Sequence, residues 1–248
     1  MRTLCLSLGL ALMLGLIAHS ASADVFTYKD AVGTKRDYVG TSSSTLHLDG
    51  QADKTSKQEL SLRETVTKVT NGMATLTILR SAKNDGARAG SKWTADRLAT
   101  GEIKNIQRPE AKSDSVQLDN AMLVFPAARD LKAGDTWQVK GENGTCPGLN
   151  LVTVAYEINY KYLGLKTVEG KAYAQFESSY SFVDASKTKE GKPASSRKIT
   201  GKATIHFDSA AGEVHDFSYT NKSLTTLAVK DKVITAEVTN SSTVTKAP

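Results

Sequence analysis

From Val152 to Tyr162 every second side chain is a large apolar or aromatic one. Val152, Val154, Tyr156, Ile158, Tyr160 and Tyr162 fall on one face of an extended chain, and Thr153, Ala155, Glu157, Asn159 and Lys161 fall on the other. A helix would scatter the apolar set around its circumference, whereas a strand gathers it onto one side, so the segment is predicted to be a long, half-buried strand. Ala172, Ala174, Phe176, Ser178, Tyr180 and Phe182 repeat the pattern opposite Tyr173, Gln175, Glu177 and Ser179. Val168-Glu169-Gly170-Lys171 between the two runs reads as a hairpin turn, with glycine supplying a positive φ.

The same rule extends along the chain. Leu60 and Leu62 begin a strand that runs to about Val69, Asn71-Gly72 is a strong hairpin signal, and Ala74, Leu76 and Ile78 return. Ala203, Ile205 and Phe207 lead into Asp208-Ser209-Ala210-Ala211-Gly212, and Val214 to Tyr219 come back. Leu224 to Val229 and Val233 to Val238 form a last hairpin through Lys230-Asp231-Lys232. Ser81 to Lys92 is rich in small and polar residues and reads as a loop. Leu118 to Val124 is the best helical candidate in a chain with little helical periodicity. The expected fold is all-β, with long, twisted antiparallel strands forming a wrapped sheet or incomplete barrel. Tyr156, Ile158, Tyr160, Phe176, Phe182, Ile205, Phe207 and Trp137 are its expected core.

The N-terminus reads as a secretory signal over residues 1–23: Arg2, an apolar run from Leu8 to Ile17, then Ala21-Ser22-Ala23 before Asp24. The apolar run is short for a bilayer of about 30 Å, so no membrane span is expected in the mature chain. Cleavage near Ala23-Asp24 implies a periplasmic or secreted protein. Residues 24–248 then form one antiparallel β domain, either continuous or built of two similar units over about 24–115 and 120–248; the strand–glycine turn–strand plan around Gly72 recurs around Gly170. Cys5 departs with the signal, which leaves Cys146 alone in Gly144-Thr145-Cys146-Pro147-Gly148 and excludes an internal disulfide. Asn143, Asn221 and Asn240 begin glycosylation sequons, which matter only in a eukaryotic source.

No nucleophile elbow, phosphate-binding loop, dinucleotide-binding glycine pattern, H-E-x-x-H or C-x-x-C is present, so no catalytic residue and no cofactor is expected. His206 and His215 flank one turn with Asp208 and Asp216 nearby, a donor set that zinc or copper accepts. His206 alternates with Ile205 and Phe207, however, which points it to solvent, and ordinary surface histidines without a metal are the expectation. Glu157 and Glu177 are expected on the polar face, paired with Lys161 or Lys171. The chain carries 32 Lys+Arg against 26 Asp+Glu. Part of that excess lies in Ala185 to Gly201, a basic hairpin or mobile excursion in which Lys187, Lys189, Lys192, Arg197 and Lys198 could attract an anionic glycan or lipid. No nucleic acid is expected as partner, because no aromatic residue interleaves these cations. Tyr156, Ile158, Tyr160 and Phe176 could instead line an apolar ligand site.

Phe125-Pro126, Leu131-Lys132-Ala133-Gly134-Asp135-Thr136-Trp137 and the segment from Thr200 to Asp208, with Gly212 after it, resemble motifs of uncharacterised exported bacterial β proteins. The resemblance implies a curved, often duplicated antiparallel half-barrel and no activity, and it transfers no functional residue. Many of those proteins carry a lipidated cysteine, which this chain lacks. An exported, non-enzymatic binding or structural protein is therefore expected. A carrier of a lipid or other apolar ligand in the half-barrel, and an enzyme with an unrecognised site, are the alternatives.

Overall fold

The computed structural model describes residues 25–48, 50–84, 87–107, 123–126, 130–143, 153–187, 193–229 and 232–248. The expected signal, Cys146, Lys189, Lys192 and most of the helical candidate lie outside them.

Eleven strands follow in chain order: β1 (Lys35–Leu48), β2 (Lys54–Thr70), β3 (Met73–Asn84), β4 (Ala87–Leu98), β5 (Ile103–Gln107) and β6 (Thr136–Asn143). The remainder are β7 (Thr153–Val168), β8 (Lys171–Lys187), β9 (Pro193–Asp208), β10 (Glu213–Val229) and β11 (Lys232–Lys246). They make one open antiparallel sheet in the order β5-β4-β3-β2-β1-β11-β10-β9-β8-β7-β6. The all-β wrapped sheet expected from the alternation is thus what forms. Two meanders run outward from the centre, and the first and last strands join them: β1 pairs β11 from Tyr38↔Lys246 to Leu48↔Ala236. The 17-residue strands β2, β8 and β10 are on the order of 55 Å long at about 3.3 Å per residue.

The turns obey their local signals. Asn71 and Gly72 have φ of 50° and 74°, and Glu169 and Gly170 have φ of 49° and 80°. Positive φ at both central residues is what a two-residue hairpin loop matched to strand twist requires. Bulges fall between Val66 and Lys68, between Tyr162 and Gly164, and between Val214 and Asp216; each extra residue sharpens the local twist. The segment Ser81 to Lys92 corrects the loop expectation. Strands β3 and β4 continue through it, with Ser81↔Gly90, Ala82↔Ala89 and Lys83↔Arg88 in register. Backbone pairing needs no apolar side chain, so composition alone misreads a long hairpin. The excursion after Ala185 is likewise a hairpin, in which β8 runs to Lys187 and β9 starts at Pro193. Leu123 and Val124, the described part of the helical candidate, have no helical structure.

One sheet face is covered and the other is open. Phe176, Ile205 and Phe207 are fully buried on the covered face, with Ile158, Tyr160, Tyr162 and Phe182 beside them. Two segments outside the strands fill it. Phe26 meets Phe176 at 5.2 Å between ring centroids, and Phe125 meets Phe207 at 5.0 Å. Backbone hydrogen bonds hold these segments in place: Tyr28 N–H donates to Ala99 at 2.8 Å, Lys29 N–H to Gly212 at 3.0 Å and Phe125 N–H to Thr100 at 2.7 Å. Trp137 stacks on Tyr160 at 5.2 Å, and its Nε1 donates to the Val124 carbonyl at 2.7 Å. A smaller cluster of Val66, Ala74, Leu76, Ile78 and Trp93 serves the other meander. At Gly201 a β-carbon would lie 2.5 Å from the Tyr180 ring, so glycine lets that ring lie flat across the neighbouring strand.

Replacing Phe207 with alanine opens a cavity beneath Phe125 and Phe26. It is expected to destabilise the fold by about 3–5 kcal/mol, read as a lower urea midpoint with an unchanged slope; a shift under about 1 kcal/mol would contradict this packing.

Candidate functional site

The open face is polar, and the register lays its side chains in rows across the strands. One row runs Lys57–Ser43–Ser241–Thr220–Lys202 from β2 to β9 and continues through Ser179, Asn159 and Gln138 to β6. The next row runs Lys83–Glu59–Thr41–Thr243–Ser218–Thr204 and ends with Glu177, Lys161 and Thr136. These two rows line a trough. Over β1, β2 and β9–β11 it is a cavity of about 840 Å³, which continues over β6–β9 as one of about 660 Å³. A third hollow, of about 600 Å³, lies on the other side of the first row, between it and Lys222, Thr200, Ser181 and Glu157. Lys202 borders all three.

Hydroxyls dominate the middle of the trough, through Thr41, Ser43, Thr204, Ser218, Thr220 and Ser241. Near β6, Gln138 Nε2 donates to Asn159 at 2.7 Å and to Glu157 at 3.0 Å, and Lys140 lies 3.1 Å from Glu157. The Lys140 hydrogen bond, helped by Asn159, holds the Glu157 carboxyl below the usual range. Lys222 is neutralised by Glu237 at 2.6 Å. Lys202 is exposed, and no described side chain forms an ion pair or hydrogen bond with it.

Beneath the covered face at one end lies a buried ionic network. Arg97 grips both oxygens of Asp30, at 2.9 and 3.0 Å, and donates to Glu64 at 3.1 Å. Arg36 donates to Asp30 and to Glu213 at 2.8 Å each, and Lys246 caps the second oxygen of Glu213. Arg97 also sits 4.4 Å above the Tyr28 ring. Three cations thus meet three carboxylates drawn from β1, β2, β4, β10, β11 and the N-terminal segment, which is how charges so buried remain ionised. Burial by itself raises Asp30, but the hydrogen bonds and charge of Arg97, then of Arg36, outweigh it and hold that carboxyl low.

His206 lies opposite Ile205 and Phe207, as the alternation requires, and its Nδ1 sits 2.8 Å from Asp216. His215 stacks on Tyr173 at 4.2 Å, and its Nε2 lies 3.8 Å from Asp216. Asp208 pairs instead with Lys171 at 2.6 Å. Among the described residues no three His, Cys, Asp or Glu side chains gather to hold a metal. The His206–Asp216 pair resembles the base half of a catalytic triad, but among the described residues no hydrogen bond reaches His206 Nε2 and none aligns a nucleophile with it.

Tyr156, Ile158, Tyr160 and Phe176 do come together, within the packed core rather than around a void. A cavity of about 40 Å³ on that face, among the described residues, lies beside Tyr28, Tyr38 and Arg97. Among the basic residues, Arg197 and Lys198 are paired with Asp184 and Val183 on β8, and as consecutive strand residues they leave on opposite faces. Lys187 ends β8, and its side chain lies outside the described set. Glu177 does face Lys161 across β7 and β8, whereas Glu157 takes Lys140. Asn240 Nδ2 donates to Asn221 Oδ1 at 2.8 Å, and Asn221 is buried.

No protein-family model matches the chain, and no curated protein matches it in sequence. Among solved structures it is similar to a Bacteroides fragilis protein with a YmcC-like fold, itself only inferred to be exported. Identity is 11% over 86% of this chain and 97% of that one, with a TM-score of 0.31. It is also similar to two mutants of the Rh. blastica porin, each at 10% identity over 86% of this chain and 99% of the porin, with TM-scores of 0.24 and 0.22.

Replacing Arg36 with methionine leaves Asp30 and Glu213 short of a buried cation and is expected to cost about 3–5 kcal/mol. A carboxyl held low in the fold stabilises it above the unfolded-state value of about 3.9, and that contribution is lost as pH falls through the depressed folded value. Urea midpoints should therefore stay level from pH 7 to about 5 and drop below about 4. In the methionine variant the drop should begin at higher pH; an unshifted profile would remove Asp30 from the account.

Proposed function

We propose that this chain is a non-enzymatic binding protein that holds an extended, hydrophilic ligand in the trough on its open face. One observation carries the reading: two adjacent rows of Ser, Thr, Asn, Gln, Lys and Glu side chains border a hollow that crosses most of the sheet. A ligand rich in hydroxyls would find donors and acceptors there at every strand step of about 4.8 Å. The predicted signal sequence supports a role outside the cytoplasm. No helix among the described residues is long and apolar enough to cross a membrane, and the trough rows would make a poor lipid-facing band.

The lipid-carrier alternative has less support. A carrier needs a void of several hundred Å³ on the apolar side, and that side is filled by Phe26, Phe125, Leu131 and Trp137. For the enzyme alternative, no described residue aligns a nucleophile with His206.

The test is NMR titration of the mature protein with soluble oligosaccharides, and separately with a fatty acid. Sugars are expected to perturb Thr41, Thr220 and Ser241 and to leave Tyr160 and Phe176 unmoved. Ser241→Trp should block that response while shifting stability by no more than about 0.5 kcal/mol, as usual at an exposed site. Perturbation of Tyr160 and Phe176 by the fatty acid, with a silent trough, would establish the carrier instead.

A further inference from the structure

Resting on that reading, we infer that the trough's ligand is an acidic polysaccharide lying across the strands, with a carboxylate drawn to Lys202. The charge is distributed unevenly. The row from Lys57 to Gln138 holds two lysines, Lys57 and Lys202, and no carboxylate. They stand four strands apart, on the order of 19 Å at about 4.8 Å per strand. Hydroxyls of Ser43, Ser241 and Thr220 fill the interval. Each of the three hollows also has more Lys than Glu on its border.

Lys202, like Lys57 in the same row, differs from the lysines that are paired within the fold. Lys140, Lys171 and Lys222 each have a carboxylate within 3.1 Å, so their charge is answered inside the fold. Lys202 stands where the three hollows meet, and no described side chain answers it. An exposed ammonium amid hydroxyls keeps all three donors for a ligand oxygen.

The open face also argues against other anionic partners. Protein interfaces are anchored by aromatic and apolar side chains in a desolvated centre, and single strands of nucleic acid by stacking platforms. Both trough rows lack such side chains; Trp137, Tyr160 and Tyr180 belong to the core on the opposite face. A glycan needs hydroxyl and amide partners spread along its length, and an acidic one also needs fixed cations at intervals.

The experiment is calorimetric titration of the mature protein with hexagalacturonate, maltohexaose and a polyglutamate peptide of equal charge. Hexagalacturonate is expected to bind, about tenfold more tightly than maltohexaose and with an affinity that falls as salt rises. Lys202→Gln should weaken hexagalacturonate about tenfold and maltohexaose far less, whereas Lys171→Gln, outside the trough, should change neither. Equal binding of maltohexaose and hexagalacturonate would keep the trough reading and overturn the acidic one. Polyglutamate binding as tightly as the uronate would overturn the glycan assignment, and so would wild-type affinity in Lys202→Gln. Failure of both sugars would overturn the trough reading and this inference together.

Discussion

The pairing of the first strand with the last makes this molecule one sheet. β1 and β11 are hydrogen-bonded from Tyr38↔Lys246 to Leu48↔Ala236, with the whole chain between them. Each meander then has an outer edge, β5 or β6, and an inner edge closed by the other meander. Bringing the two ends together costs loop-closure entropy, but that cost grows only logarithmically with length, and eleven paired residues offset it. The rows that cross from β2 to β9 exist because this ladder sets their register.

The covered face explains why the curvature persists. A half-barrel with an empty apolar side would expose its aromatic rings, so chain from elsewhere must fill it. Phe26 and Tyr28 come from before β1, and Leu123, Phe125 and Leu131 from the connection between β5 and β6. The ionic network works at the end where both meanders meet the N-terminal segment. Asp30 receives Arg36 from one strand and Arg97 from another, and Glu213 takes Arg36 and Lys246. Such a cluster contributes less net stability than apolar packing would, but removing one member strands the others. We read it as what fixes the angle at which the N-terminal segment enters.

The trough follows from the same geometry. Once apolar residues occupy the covered face, alternation sends Thr, Ser, Lys and Glu to the open one, and the twist of long strands hollows it. Individual faces were legible in the sequence: the partition of Tyr156 to Tyr162 against Glu157 to Lys161 holds along that stretch of β7, up to the bulge after Tyr162, and Ile205 and Phe207 oppose His206 on β9. The site was not. Lys202 carries no local signal of its role, because nothing in the neighbouring sequence says that Thr220 and Ser179 flank it. Lys187 to Lys198 drew attention by density in sequence, yet neighbouring strand residues diverge to opposite faces, as Arg197 and Lys198 do.

The chain alone determined what depends on nearest neighbours: period-two faces, the Asn71-Gly72 and Glu169-Gly170 turns, the core of β7–β9 and the all-β class. It was silent where both faces of a strand are polar, as in Thr41 to Thr45 and Thr239 to Thr243, since alternation then carries no contrast. Tertiary structure alone decided the β1–β11 ladder, the burial of Arg36 and Arg97, and the alignment of the polar rows. These are meetings of residues more than two hundred positions apart in places, such as Thr41 with Ser242. Their energy comes from long-range pairing and charge neutralisation, and no local pattern of side chains encodes which partner will arrive.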